Sequence, residues 1–223
     1  MVEFHVRANG KEILQEDLLK LELERSRHAL MLLKKKLGAE GIRELLRETA
    51  AEEMVRAGYK VTKISEDGTY IPAPVELEVK GLHAQEFLQW WFRTGAMDPD
   101  RLNSAHPEHY MGIVRPDLSQ EVIEVNGDLD TPIHFLIHVH PTPEGAPETP
   151  IYPIASYCTA ATLDGEPLGG GVLHQFEDTE EGFRARLCNY FPPDVDEQVI
   201  HRQQMHLAVE WSNWIKMASE ELA

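Results

Sequence analysis

Several histidines and acidic residues of this chain stand at spacings that suit metal binding. The clearest pair is His206 and Glu210, four residues apart in a segment of helical character. Side chains four apart lie on one face of a helix, so an imidazole and a carboxylate placed this way can share a divalent ion. A hydrogen-bonded pair on a solvated face has the same spacing. The flanking residues favour a cavity wall, because much of this segment is apolar: Leu207, Val209, Trp211, Trp214 and Met217.

Further histidines precede this pair. The motif His106-Pro107-Glu108-His109 is either a ligand loop or an ordinary polar loop. His134, His138 and His140 alternate along a segment of strand character and therefore share one face of a sheet. Three imidazoles on one face indicate a binding surface, although a structural histidine network is the alternative. His174 stands alone on a later strand, where it is either a catalyst or a satisfied core residue.

Composition restricts the function classes. The chain of 223 residues carries a formal net charge of −17, which disfavours binding to nucleic acid or to an anionic membrane surface. Neither a signal peptide nor a membrane-spanning stretch is recognisable, and the two cysteines form no disulfide framework, so we expect a cytoplasmic protein with free thiols. Motifs for nucleotide binding, HExxH metalloproteases and serine hydrolysis are lacking.

The elements that must position these residues fall into two predicted domains. Residues 1–60 contain a helical hairpin over 12–58, broken at Gly38, which we interpret as a packing appendage or as the surface of a homodimer. The second domain, residues 61–223, follows on from a short strand at Lys60–Ile64. It contains a helix over Ala84–Phe92 and further strands, among them 133–140 and 182–191. A long helix over 195–221, with Asp194 as its N-cap, closes the chain. This α+β pattern predicts a curved antiparallel sheet around the last helix, with a ligand cavity between them.

The segments that carry the histidines resemble one family, the metal-dependent carbon–carbon hydrolases that include 2,4-diacetylphloroglucinol hydrolase and phloretin hydrolase. The resemblance covers about residues 85–215 and leaves residues 1–60 outside. It is carried by short motifs in a shared order: Phe87-Leu88-Gln89-Trp90-Trp91-Phe92, Asp100-Arg101-Leu102, His106-Pro107-Glu108-His109, His134 to His138, Leu173-His174-Gln175-Phe176, Gly182-Phe183-Arg184-Ala185-Arg186, and His206 with Glu210.

The resemblance implies the helix-grip fold of START and birch-pollen-allergen proteins and a single divalent metal ion. The family binds the ion through a His in the HPxxH motif, a Glu on a following strand, and a His and a Glu of the last helix. In this chain these positions fall on His109, His206, Glu210 and a strand position where His138, or else His140, stands instead of Glu. This departure leaves Zn²⁺, Fe²⁺ and Mn²⁺ as candidates, with Zn²⁺ the ion usual in the family.

The resemblance also implies catalytic and substrate-binding residues. His174 matches the catalytic His of the family, Tyr190 its phenol partner, and Asp117 a polar residue of the pocket, although Asp117 is also typical of a turn. Trp91 and Arg101 are the candidates for substrate binding. Arg101 stands where the family often has Tyr, which suggests an anionic substrate.

The expected function is therefore hydrolysis of a carbon–carbon bond in an acyl-phenol or a diketone-like small molecule. Two alternatives remain on the sequence: a non-enzymatic helix-grip protein that binds a small apolar ligand, and a metal-dependent oxygenase. A third, a multimeric interaction protein, would rest on the 12–58 region.

Overall fold

The fold is of the α+β class, and the computed structural model describes residues 5–57, 68–127 and 130–223. An N-terminal β-hairpin and a long helix precede one large sheet, three further helices flank it, and a π-helical turn, Trp91–Gly95, follows the second helix. The elements are β1 (Val6–Ala8), β2 (Lys11–Ile13), α1 (Gln15–Ala57), β3 (Ile71–Lys80), α2 (Ala84–Trp90), α3 (Pro99–Ser104), β4 (His109–Val114), β5 (Gln120–Glu124), β6 (Ile133–His140), β7 (Ile154–Ala161), β8 (Pro167–Asp178), β9 (Gly182–Phe191) and α4 (Glu197–Leu222).

The large sheet has seven antiparallel strands in the order β3-β9-β8-β7-β6-β5-β4. One face packs on α4 and α2 through an apolar core that contains Phe87, Phe183, Leu187 and Trp211, all buried. Because side chains alternate along a strand, inward residues such as Leu187 are followed by outward ones such as Cys188. We call the face that meets α4 the inner face and the opposite one the outer face.

The N-terminal helix α1 lies on the outer face, against β4 and β6. Ile42 of α1 and Ile123 of β5 are both buried in the cluster that joins them. Gly38 interrupts the helical backbone at φ 64° and ψ 175°, with helical residues on both sides of it. The expected break at Gly38 is therefore present, but no loop separates the two helical segments. The division into domains at residue 60 stays a prediction.

Several element boundaries differ from the sequence expectation. The N-cap of α4 is Asp196, whose side chain accepts a hydrogen bond from the backbone N–H of Gln198, so the expected cap at Asp194 is wrong. The π-helical turn takes over where we expected α2 to continue to Phe92. The strand expected at Lys60–Ile64 lies outside the described residues. Among the residues that are described, no helix is both long and apolar enough to cross a bilayer.

Candidate metal centre and cavity

Three histidines converge between the start of β4 and the middle of α4. His106, His109 and His206 each place a ring nitrogen within 4.8 Å of the others, an arrangement that could hold a metal ion. The backbone N–H of His109 donates to the carbonyl of His106 (3.2 Å), so a tight turn brings these two together. His206 comes from α4, and its ring stacks on that of His106 with centroids 4.0 Å apart.

Two glutamates complete this cluster. His109 pairs directly with Glu124 across β4 and β5, and the Oε2 of Glu124 lies 3.6 Å from the Nε2 of His109. The Oε1 of Glu210, one turn along α4 from His206, lies 3.6 Å from the same nitrogen. The Nε2 atoms of His109 and His206 are 3.0 Å apart. Four donor groups from β4, β5 and α4 therefore surround one small volume.

The donor set fits a divalent cation. The Nδ1 of His109 lies 3.4 Å from the carbonyl oxygen of Leu102, so a proton on Nδ1 can be donated there and the Nε2 lone pair is left free. That lone pair then faces the Nε2 of His206 at a distance near the roughly 3.0–3.4 Å that separates two nitrogen ligands of one ion bound at about 2.1 Å. A shared cation removes the repulsion between two such lone pairs.

Burial sets the protonation of the cluster in the absence of an ion. Burial, followed by the nearby His206 and His106, holds the pKa of His109 well below its ordinary value. Burial disfavours the charged form of His206 as well, but Glu108, Glu210 and Glu124 outweigh it and raise the pKa of His206. Burial raises the pKa of Glu124, and it raises the pKa of Glu210 to about 8. Carboxylates that resist ionisation alone are stabilised as anions by a bound cation.

His138 does not reach this cluster, which corrects the expected ligand set. Its neighbours Ile137 and Val139 line the cavity on the inner face, so the side chain of His138 points to the outer face. The alternative, His140, shares that outer face and contacts the hydroxyl of Thr159 at 2.8 Å. Glu124 is the strand carboxylate that stands beside His109. Sequence reasoning missed Glu124. The signal was its position two residues after Val122, which places a carboxylate on the apolar face of the strand.

One of the outer-face histidines, His134, belongs to a structural network instead. The Nε2 of His134 lies 2.9 Å from Oε1 of Glu121, and that oxygen also accepts a hydrogen bond from Arg43 of α1 at 2.8 Å. This network joins the sheet to α1. The structural alternative that the sequence left open is thus the arrangement seen for His134.

A cavity opens next to the candidate metal centre. His109, Glu124, His206 and Glu210 form one part of its wall. The rest is mainly apolar and aromatic: Leu88, Trp91, Phe92, Leu102, Met111, Val122, Ile137, Val139, Val172, Phe176, Leu207, Trp211 and Trp214. Among the described residues, neither lysine nor arginine lines this cavity.

His174 lies in the cavity wall as expected for a catalytic residue. It is on the inner face of β8, and its ring meets Trp211 edge to face with centroids 4.6 Å apart. Its Nδ1 is buried and has no hydrogen-bond partner among the described residues. Burial lowers the pKa of His174 to about 3, so the imidazole is neutral at physiological pH. A buried polar atom without a partner in the described part of the chain calls for an explanation, and contact with a ligand is one.

Trp91, which the resemblance predicts as a substrate-binding residue, also lines the cavity. Its indole stacks on Trp211 at a centroid distance of 6.0 Å and an interplanar angle of 13°, and it meets Trp214 edge to face. Its Nε1 is also buried without a partner in the described part of the chain. Trp91 thus offers a ligand an aromatic wall and one hydrogen-bond donor.

Three other expected site residues lie elsewhere. Arg101 forms ion pairs with Asp98 and Glu221 and is not part of the cavity wall, so the anionic substrate inferred from it loses its basis. Asp117 lies exposed in the turn between β4 and β5, where its carboxylate accepts hydrogen bonds from the N–H and the hydroxyl of Ser119. It is the turn residue that the sequence also allowed.

Tyr190 lies on the outer face, in a cluster with Tyr157, Leu173 and Cys188. It cannot act as the phenol partner of His174, because the sheet separates them. The inner-face residue next to it is Asn189, which lines the cavity and has a buried Oδ1 without a partner in the described residues. Sequence reasoning missed Asn189. Because neighbouring residues of a strand point to opposite faces, Asn189 had to be considered as soon as Tyr190 was.

Comparisons with protein-family models and with curated proteins find no match to this chain.

The acid of α4 predicts a pH dependence for the metal-free protein. With a pKa of about 8 when folded, Glu210 adds stability that is complete below its unfolded value near 4.5 and is lost as pH rises to about 8. In the presence of a chelator, Glu210→Gln should therefore gain on the parent by at least about 1 kcal/mol between pH 5 and pH 8, or roughly 2–4 °C in Tm. Calorimetry of both proteins across this range checks it, and a constant difference would contradict it.

Proposed function

We propose that this protein is a metal-dependent hydrolase that cleaves a carbon–carbon bond next to a carbonyl group in a small neutral molecule, an acyl-phenol or a diketone. The observation that carries the proposal is the convergence of His109, His206, Glu124 and Glu210 at one end of an apolar cavity that also presents His174. An ordinary apolar core rarely packs two glutamates and a second histidine within 3.6 Å of one histidine nitrogen, here the Nε2 of His109.

The four residues would hold one divalent ion, with Zn²⁺ favoured and Fe²⁺ or Mn²⁺ as alternatives. His106 and Glu108 would support them, because the Oε2 of Glu108 lies 3.7 Å from the Nδ1 of His206 and of His106. The seven-stranded sheet and α4, with the cavity between them, are also the arrangement expected of the helix-grip fold, which supports the motif resemblance.

When bound, the ion would supply Lewis acidity for a carbonyl oxygen or lower the pKa of a water molecule. The overall reaction transfers a hydroxyl from water to the acyl carbon, which leaves as a carboxylic acid. The electron pair of the broken carbon–carbon bond stays on the other carbon, which takes up a proton. His174, which lines the cavity, would hold or pass that proton.

The aromatic wall would orient the substrate. Trp91 and Trp211 are stacked on each other, and Trp214 meets both edge to face, so the wall favours a flat or apolar substrate body. Asn189 offers a polar atom at the same inner face. The lack of a lining cation among the described residues favours a neutral substrate.

The test combines metal content with product analysis. We expect about one equivalent of metal in the purified protein, and release of a carboxylic acid from acyl-phenols or β-diketones that stops on chelation and returns with metal. The double variant His206→Ala/Glu210→Ala should contain no metal. A parent protein without metal even after reconstitution would refute the metal centre. A metal-loaded protein that cleaves no ketone in such a panel, under air or nitrogen, would refute the hydrolase assignment alone.

A further inference from the structure

The N-terminal helix α1 places a buried ammonium group against the backbone of residues 103–109, the segment that carries His106 and His109. Lys34 of α1 is only 7% exposed, although lysine side chains are rarely buried without a partner. Its Nζ donates to the backbone carbonyls of Asn103 (3.4 Å) and Pro107 (3.0 Å) and to the carbonyl of His109. An ammonium group has three donors, so three carbonyls use its full hydrogen-bonding capacity.

Two of these carbonyls lie on either side of the loop 105–108, which joins α3 to β4, and the third lies within it. Asn103 stands near the end of α3, and His109 begins β4. A single group that bonds both ends and Pro107 between them fixes the shape of a loop that has little regular structure of its own. The ring of Tyr110, with its centroid 5.7 Å from the Nζ, adds a favourable aromatic contact on a further side of the ammonium group.

The neighbouring Lys35 shows what an ordinary lysine of this helix does. Its side chain is 70% exposed and forms a surface ion pair with Asp100 at 3.1 Å. Exposed pairs of this kind contribute little to stability, whereas removal of a buried donor leaves its acceptors unsatisfied. Both lysines reach from α1 toward α3 and the loop after it, but only Lys34 contacts the backbone of the loop that carries His106 and His109.

We propose that Lys34 is a positioning residue for the metal centre, through which the N-terminal helix fixes the backbone of residues 103–109 and thereby the place of His109. The proposal rests on the proposed metal centre for its functional meaning. It gives α1 a role that the motif resemblance, which leaves residues 1–60 outside, does not supply. Lys34 itself would touch neither ion nor substrate, because it acts through the carbonyl groups of the loop.

The test compares Lys34→Met with Lys35→Met in the full-length protein. Methionine keeps an unbranched apolar side chain at position 34 and removes all three donors. Hydrogen exchange of peptides covering residues 100–112 should be at least roughly tenfold faster in Lys34→Met and unchanged in Lys35→Met. Affinity for Co²⁺, measured by competition with a chelator, should fall at least about tenfold in Lys34→Met alone. The visible absorption of the bound Co²⁺ should also change, which a loss of global stability would not cause.

The outcomes separate this proposal from the proposed function. Unchanged exchange in Lys34→Met, or an equal change in both variants, would overturn the role of Lys34. Faster exchange with an unaltered Co²⁺ spectrum and affinity would overturn it too, because the loop would then not set the metal geometry. If the parent binds no Co²⁺, the metal centre itself is wrong, and the exchange contrast alone decides whether Lys34 fixes the loop. Melting temperatures of both variants, well above that of the assay, establish that each is folded.

Discussion

Substitution of Glu124 by Gln is expected to weaken metal binding at least about 100-fold, beyond the roughly 10- to 100-fold cost of losing a partner that only orients a ligand. The amide keeps the shape of the side chain but removes the negative charge beside His109. Removal of the second carboxylate, in Glu210→Ala, should likewise abolish binding. Affinities for Zn²⁺ and Co²⁺ measured by chelator competition provide the readout.

Two matched variants on the same sheet serve as controls. Glu121→Gln changes a carboxylate on the same strand as Glu124, but on the outer face, where it bonds Arg43 and His134. His138→Ala removes the histidine that the sequence placed in the ligand set. Both should keep metal affinity within about threefold of the parent, because neither side chain reaches the inner face. Loss of metal in His138→Ala, with retention in Glu124→Gln, would restore the original ligand set and refute the present one.

Two ligand sets are possible at this site, and they differ in whether His106 binds the ion. The group of three histidines and the group of two histidines and two glutamates share His109 and His206. The ring of His106 stacks face to face on His206, with an angle of 23° between the planes, and its Nδ1 accepts a hydrogen bond from the backbone of Glu108. These contacts suit a supporting role, so the proposed ligand set takes the two carboxylates instead.

The sequence predicted the proposed ligands on the last helix and at the start of β4, but it did not predict the ligand on the next strand. His206 and Glu210 could be predicted because helix periodicity fixes which residues share a face, and His109 followed from a short motif. The ligand from the sheet, Glu124, could not be predicted in the same way. Strand alternation shows that His134, His138 and His140 share a face, but not which face, and here that face meets α1 rather than α4.

The unknown face of a strand also explains the error at Tyr190, whereas the error at Arg101 has a different cause. A shift of one residue moves a side chain to the other side of a sheet, so a match of residue type without register placed Tyr190 on the wrong face. The long side chain of Arg101 is taken up by Asp98 and Glu221, and Glu221 lies 120 residues later on α4. No local pattern predicts such a contact. The strands β6 and β9, by contrast, have the expected bounds, because clear turn signals flank them.

His174→Asn is expected to lower kcat by roughly 100- to 10,000-fold while metal content stays at the parent level. The reason is the separation of roles in the cavity. The proposed ligands lie on β4, β5 and α4, whereas His174 lies on β8, and its Nδ1 has no hydrogen-bond partner among the residues that the structure describes. The measurement is turnover of whichever ketone the parent cleaves, together with elemental analysis of the same preparation.

Tyr190→Phe is the control for this prediction. It removes the phenol hydroxyl expected from the motif resemblance, on the strand next to His174 but on the outer face. Because the sheet lies between that hydroxyl and the cavity, kcat should stay within about threefold of the parent. If Tyr190→Phe lowered kcat as far as His174→Asn with the fold intact, proton transfer would have to cross the sheet, and the cavity on the inner face would not be the site of reaction. A loss of metal in His174→Asn would instead make His174 part of the metal centre, contrary to the role proposed for its free Nδ1.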